Sequence, residues 1–240
     1  MMARNNRRRS RIDSNDLAGY GSVAHGTVNI DRAARGLGAS KTEVRQALRQ
    51  AQAAQSNTFY RRISGKSEGD STEGTSMRGM LQAAFGRGPR GGAVDARAAA
   101  QSLGVSTGTV RRWAAGTQKP SPSRLASIRQ AARQVTTTKR GRRSATADFR
   151  ASAKGSQALK GGSKIWVSGE QGVGGADQGY ARDRRVATTI SPSEIEAMLR
   201  AYEDGGDSGL RDWMTSFFDG KYVEGWDFVT IDDFGIGIPE

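Results

Sequence analysis

The sequence contains no cysteine, which excludes a disulfide, an iron–sulfur cluster and any thiolate metal site. Its one histidine, His25, excludes histidine metal clusters and argues against a Ser-His catalytic pair. Large apolar side chains are scarce: Leu, Ile, Val and Phe together make up 38 of 240 residues. At that level, with a high net charge, much of a chain is usually disordered, and there are 32 glycines besides. Composition therefore predicts small folded islands joined by flexible segments. No apolar run is long enough to cross a membrane and no stretch reads as a signal peptide, so a cytosolic protein without a membrane partner is expected. Catalytic constellations are lacking too. Asp227, Asp232 and Asp233 are carboxylates near a strand end, where such residues cap or solubilise far more often than they hold Mg²⁺. The expectation is a chain that is not an enzyme and has no cofactor.

What the chain has in excess is positive charge. Lys and Arg number 37 against 24 Asp and Glu, a net charge of +13 with a pI near 10.7. That is the electrostatic footprint of a polyanion binder, and it predicts a salt-dependent affinity for nucleic acid. The charge is uneven. Beyond Ile190 there are 12 acidic and 3 basic residues, a net of −9, which leaves +22 for the first 190 residues. The split predicts a basic body that holds DNA and an acidic end that meets something else.

One stretch says how DNA would be held. Ala99 to Trp113 places a small residue, Ala100, four before Gly104, with apolar residues at Ala99, Leu103, Val105, Val110 and Trp113. Two short helices crossing steeply need that pattern: Ala100 lets the backbones approach and Gly104 accepts a left-handed turn. The second helix then presents Ser106, Thr107, Thr109, Arg111 and Arg112, with Lys119 just beyond, as a helix-turn-helix does to the DNA major groove. The same pattern recurs 66 residues earlier, pairing Ala34 with Ala100, Gly38 with Gly104 and Val44 with Val110. A second helix-turn-helix there would expose Thr42, Glu43, Arg45 and Gln46, and two units would suit two half-sites.

The fold class expected is mainly α with a small β element, an α+β protein. Residues 1–27, with Arg4, Arg7, Arg8, Arg9 and Arg11, read as a disordered basic tail, and residues 28–63 as the first helical unit. Residues 64–76 read as a linker. They include Gly65-Lys66-Ser67, which lacks both the earlier glycine and the preceding strand of a phosphate loop. Residues 77–136 are the main helix-turn-helix domain, opened by an amphipathic helix from Met77 to Phe85. Residues 137–163 read as a basic linker whose Lys139, Arg140, Arg142 and Arg143 would contact phosphates. Residues 164–240 are the acidic α+β end. Strands are expected at Ile165–Val167, from Arg185 to Ile190 and around Trp226 and Phe228, with Gly169 to Gly179 mobile between the first two. Ser191-Pro192-Ser193-Glu194 is a capping box opening a helix that stops at Gly205-Gly206, and a second helix stops at Gly220.

This combination resembles the telomere terminal proteins (Tpg-type) of linear actinobacterial chromosomes and plasmids. The residues that carry the likeness are Ala100, Leu103, Gly104, Val105, Ser106, Thr109, Val110 and Arg112, then Ser191-Pro192, then Phe228, Ile231, Asp232 and Asp233. It covers roughly Met77 to Glu240. The resemblance implies binding to replicon ends and priming through a side-chain hydroxyl that accepts a nucleotide from a DNA polymerase. It also implies a telomere-associated protein and that polymerase as partners of the acidic end, and a nucleoid-associated location. The family's hydroxyl belongs to a Thr in a polar loop, and the matching stretch here, Gly175 to Tyr180, has none. Tyr180 and Ser168 are the hydroxyls near it. A transcriptional or plasmid- or phage-maintenance regulator reading an operator with the same helix is the reading of a different class.

Overall fold

The computed structural model describes residues 12–71, 76–174 and 180–237. The fold is mainly helical with one small antiparallel sheet. Its N-terminal part comprises α1 (Ser14–Ala18), α2 (Ile30–Gly36) and α3 (Lys41–Ser64). Then come α4 (Met77–Phe85), α5 (Ala96–Leu103), α6 (Thr107–Ala114), α7 (Pro122–Thr137), α8 (Lys139–Ala151) and α9 (Ala153–Gly161). The C-terminal part holds β1 (Ser163–Val173), β2 (Arg182–Ile190), α10 (Pro192–Lys221), β3 (Trp226–Phe228) and β4 (Asp233–Ile236). The long strand β1 pairs with β2 along one edge and with β3 and β4 in turn along the other.

The larger of two hydrophobic clusters runs from Ala24 to Ile236, and a smaller one gathers Leu17, Val23, Val28, Ala33, Ala34, Val44 and Ala47. The larger joins Phe59, Tyr60 and Ile63 of α3 to Leu103, Val110 and Trp113 of α5 and α6, and to Ile165, Val167, Met198 and Phe228 at the sheet and α10. The core thus crosses the place where the charge changes sign. From the end of α3 to the sheet the described residues share one core, and the N-terminal helices keep a small one of their own. Helices here pack through small residues, which a count of large apolar side chains misses. Ala83, Ala99, Ala132, Ala145 and Ala158 are all buried. A Cβ on Gly155 would lie 1.9 Å from the Phe149 carbonyl oxygen, and one on Gly141 would lie 2.3 Å from that of Gln134. Only glycine allows helices α7, α8 and α9 to follow one another so closely.

Three segments differ from expectation. Residues 12–27 are folded: Leu17, Ala18, Val23 and Ala24 are buried, and the Ser22 hydroxyl donates to the Phe228 carbonyl at 2.8 Å. The arginines at positions 4 to 11 lie outside the described residues. The stretch after α3 is pinned, because Asn57 on α3 donates to Asp70 at 3.1 Å and accepts from the Ser71 amide at 2.8 Å. Residues 137–163 are two helices, α8 and α9, and not a linker. Their apolar positions, Ala145, Phe149 and Ala158, are too few and too small to stand out against the charge around them.

The C-terminal helix follows its sequence closely. Ser191 and Glu194 form the reciprocal capping box, with Pro192 in the first turn. The expected stop at Gly205-Gly206 takes the form of a break inside α10, where Gly206 sits at φ 63°. No helix among the described residues is long and apolar enough to cross a membrane.

Candidate nucleic-acid interface

Helix α5 begins at Asp95, whose carboxylate accepts from the Arg97 and Ala98 amides. It ends at Gly104 in the left-handed region, φ 62° and ψ 45°. That turn lets the Val105 amide donate back to the Ala100 carbonyl at 3.1 Å, closing the helix end. Ser106 then caps α6, accepting from the Thr109 amide at 3.1 Å. Ala99, Leu103, Val110 and Trp113 fill the wedge between the helices. The exposed side of α6 carries Thr107, Arg111 and Arg112. Arg112 is held in place: its Nε donates to Gln118 at 2.8 Å and its Nη2 to Thr109 Oγ1 at 3.3 Å. Thr109 is therefore half-buried and serves to orient Arg112. Lys119 is exposed in the turn before α7.

One cation beside this turn escaped sequence reasoning. Arg124, in the first turn of α7, reaches over the α5–α6 turn, and a Cβ on Gly104 would lie 3.7 Å from its guanidinium. On the other flank, a groove of about 530 Å³ between the loop before α5 and α6 is lined by Arg78, Arg97, Arg111 and Thr107, with the α5-capping Asp95 among them. The signal that could have found this surface is an absence. From Ala96 to Ala147 the chain has 11 basic residues and no Asp or Glu.

The basic run at the start of α8 is placed differently. Arg142 sends its guanidinium to the backbone carbonyls of Glu203, Asp204 and Thr136, at 3.0, 3.2 and 3.1 Å. Lys139 pairs with Asp204 at 2.6 Å, and Arg143 lies 4.0 Å from Glu203. These three cations face the acidic α10 from a helix expected to be a phosphate-contacting extension; Arg140, the fourth, is exposed. Further along α8, Arg150 bonds Glu196 and Glu203, each at 2.8 Å, and holds the Glu196 carboxyl below its ordinary range.

No family model, curated protein or solved structure matches this chain.

The two hydroxyls expected near a primer position are apart in character. Ser168, on β1, accepts from Arg185 Nε at 2.9 Å, and Arg185 and Arg62 both lie over the Trp166 ring. Arg62 is in turn paired with Asp233, the cross-strand neighbour of Ser168. Tyr180 is 63% exposed at the β2 end of the hairpin. The rest of the Gly175–Tyr180 loop lies outside the described residues. Near this sheet, burial first and Asp183 second raise the carboxyls of Glu170 and Asp232. Among the described residues, no group of three or more His, Asp or Glu is placed to hold a metal ion.

His25 is also placed. Its Nε2 lies 2.9 Å from Asp227 Oδ1, so it ties the N-terminal segment to the start of β3. Thr42, Arg45 and Gln46 are exposed on the first turns of α3, beside Glu43.

Proposed function

We propose that this chain binds duplex DNA with the exposed face of α6, the α5–α6 turn and the start of α7, and that it works at replicon ends. The observation that carries DNA binding is the α5–α6–α7 part of the acid-free stretch, where Arg111, Arg112 and Lys119 are exposed and Arg124 reaches over Gly104. A helix presenting Thr107, Arg111 and Arg112 suits base edges in the major groove, and the flanking cations suit phosphates. A nucleoid-associated location follows from that binding.

The part about ends rests on the resemblance to telomere terminal proteins. In that reading the protein is the substrate of a polymerase, which supplies the metal ions. A protein hydroxyl attacks the α-phosphorus of a deoxynucleoside triphosphate, loses its proton and releases pyrophosphate. Tyr180 is the better placed hydroxyl, being exposed, whereas the Ser168 oxygen is held by Arg185. The polymerase and a telomere-associated protein would meet the acidic C-terminal part.

Two measurements test the proposal. Arg111→Ala/Arg112→Ala should weaken binding to a labelled duplex and flatten its salt dependence; unchanged binding overturns the DNA reading. Incubation with a labelled deoxynucleotide, Mg²⁺, terminal single strand and a host polymerase extract should label the protein through a bond that survives denaturation. Tyr180→Phe should abolish that label. Tight binding to an internal operator with no label would make the protein a regulator instead.

A further inference from the structure

We infer that α2 and the start of α3 form a second DNA-binding unit, rigidly joined to the α5–α6 unit, so that the protein needs two half-sites at one fixed spacing. This rests on the reading of α6 as a DNA-contacting helix and extends it.

The two units share their caps, their turn and their buried positions at an offset of 66 residues. Asn29 caps α2 as Asp95 caps α5. Gly38 (φ 59°) and Gly104 (φ 62°) make the same left-handed turn. The Ala39 amide donates to the Ala34 carbonyl at 3.0 Å, as Val105 donates to Ala100 at 3.1 Å. Ser40 caps α3 through the Glu43 amide at 3.2 Å, as Ser106 caps α6 through Thr109 at 3.1 Å. Ala33 and Ala99, then Val44 and Val110, are each fully buried at equivalent places. These shared hydrogen bonds and packing positions give the two units the same kind of turn between helices. Alanine-rich composition alone would not reproduce the turn, the caps and the buried set together.

The outward face also corresponds. Arg45 stands where Arg111 stands, Gln46 where Arg112 stands, and Thr42 and Arg49 are exposed beside them. The nearby acids are occupied: Asp31 is paired with Lys41 at 2.8 Å, and the Glu43 carboxylate accepts from the Ser40 amide at 2.7 Å. Gln and Arg are side chains that read adenine and guanine edges bidentately.

Rigidity comes from three attachments. Helix α3 spans 24 residues, a rod of about 36 Å, whose first turns belong to this unit and whose last turns, at Phe59, Tyr60 and Ile63, lie in the main core. The N-terminal segment that completes the unit's own small core (Leu17, Val23, Val28) is bonded to the β3–β4 region. There the Ala24 amide donates to the Val229 carbonyl at 2.9 Å, and Ser22 and His25 reach Phe228 and Asp227. The stretch after α3 is fixed by Asn57. Two reading helices on one rigid body combine their affinities only when the DNA presents both sites at the matching distance and rotation.

The experiment uses the whole protein and duplexes selected by it from a random pool. Footprinting should show two protected segments. Insertion of half a helical turn (about 5 bp) or a whole turn between them should each cost at least about tenfold in affinity. Arg45→Ala/Arg49→Ala should erase one segment and leave the other, with the salt slope lower by about two. Arg111→Ala/Arg112→Ala should erase the second segment. One protected segment indifferent to the Arg45 and Arg49 changes, or unaltered affinity after both insertions, overturns the inference while the α6 reading stands. Loss of neither segment on changing Arg111 and Arg112 overturns the α6 reading itself.

Discussion

Arg111 and Arg112 on α6 stand in solvent, whereas Lys139, Arg142 and Arg143 at the start of α8 turn onto α10. In sequence the two groups look alike, short clusters of cations on basic helices. What separates them is the charge that folding brings against each. The acid beside α6, Asp95, is spent on capping α5, while α10 delivers Glu203 and Asp204 to α8. The break at Gly206 adds a second cause. It leaves carbonyls at the end of the first half of α10 without helical partners, and a guanidinium is the natural group to satisfy them. Density of positive charge is therefore a weak signal of a binding surface, and the location of the opposing acids decides.

The comparison is broken most forcefully by removing Arg142. Arg142→Ala strands the Glu203, Asp204 and Thr136 carbonyls, at a cost of about 2–3 kcal/mol. In a chain of this size that lowers the unfolding temperature by roughly 5–10 °C. Arg142→Lys should not restore it, because one ammonium cannot reproduce the planar fork. Thermal unfolding followed by circular dichroism checks both variants, and DNA affinity of the folded protein should stay within about twofold.

The next effect has the opposite signature. Arg111→Ala/Arg112→Ala should change stability by less than about 0.5 kcal/mol, since neither side chain is buried. Affinity for a duplex should fall at least about tenfold, and the slope of log affinity against log salt should drop by about two. A destabilised double variant with intact binding would mean that the two clusters had been assigned the wrong way round.

Much of this is legible in the sequence. Helix α4 occupies Met77–Phe85 as its apolar spacing predicts, and the α5–α6 turn falls at Gly104 because only glycine takes that backbone conformation without strain. The capping box at Ser191 and the break at Gly206 are local chemistry and were equally readable. Helices α8 and α9 were not, since their packing uses Gly141, Gly155 and alanines whose apolar signal is small. Nor was the folding of residues 12–27. Their partners, Asp227, Phe228 and Val229, lie about 200 residues away in the chain, and no local pattern announces such a contact. Arg124 was missed for the same reason, because its place over Gly104 depends on how α7 returns.

A smaller effect tests whether the acidic end depends on its own pairs. Glu194 accepts in the capping box and pairs with Lys221 at 2.9 Å. The Ser191 backbone amide first, and Lys221 second, hold its carboxyl at about 2 instead of 4.5. A depressed acid contributes stability that is full above about pH 4.5 and is lost as pH falls towards 2. Glu194→Gln should therefore cost about 1 kcal/mol or less at neutral pH, solvent screening keeping it small, and nothing near pH 2. Denaturant melts across that range read the difference directly, and a pH-independent gap would assign the loss to the cap geometry alone.

The smallest effect is the most discriminating for α8. Arg140 is exposed and sits among cations that α10 has already engaged. If opposing acids decide which cations serve DNA, the negative end of the broken α10 beside it should keep phosphate away from this helix. Arg140→Ala is then expected to alter duplex affinity by less than about twofold, with the salt slope unchanged and stability within about 0.5 kcal/mol. A tenfold loss, with the slope lowered by about one, would put the start of α8 on the phosphate track. Arg140 would then mark the edge where the surface passes from structural cations to DNA-facing ones, and the DNA surface would extend past α6 and the start of α7 onto α8.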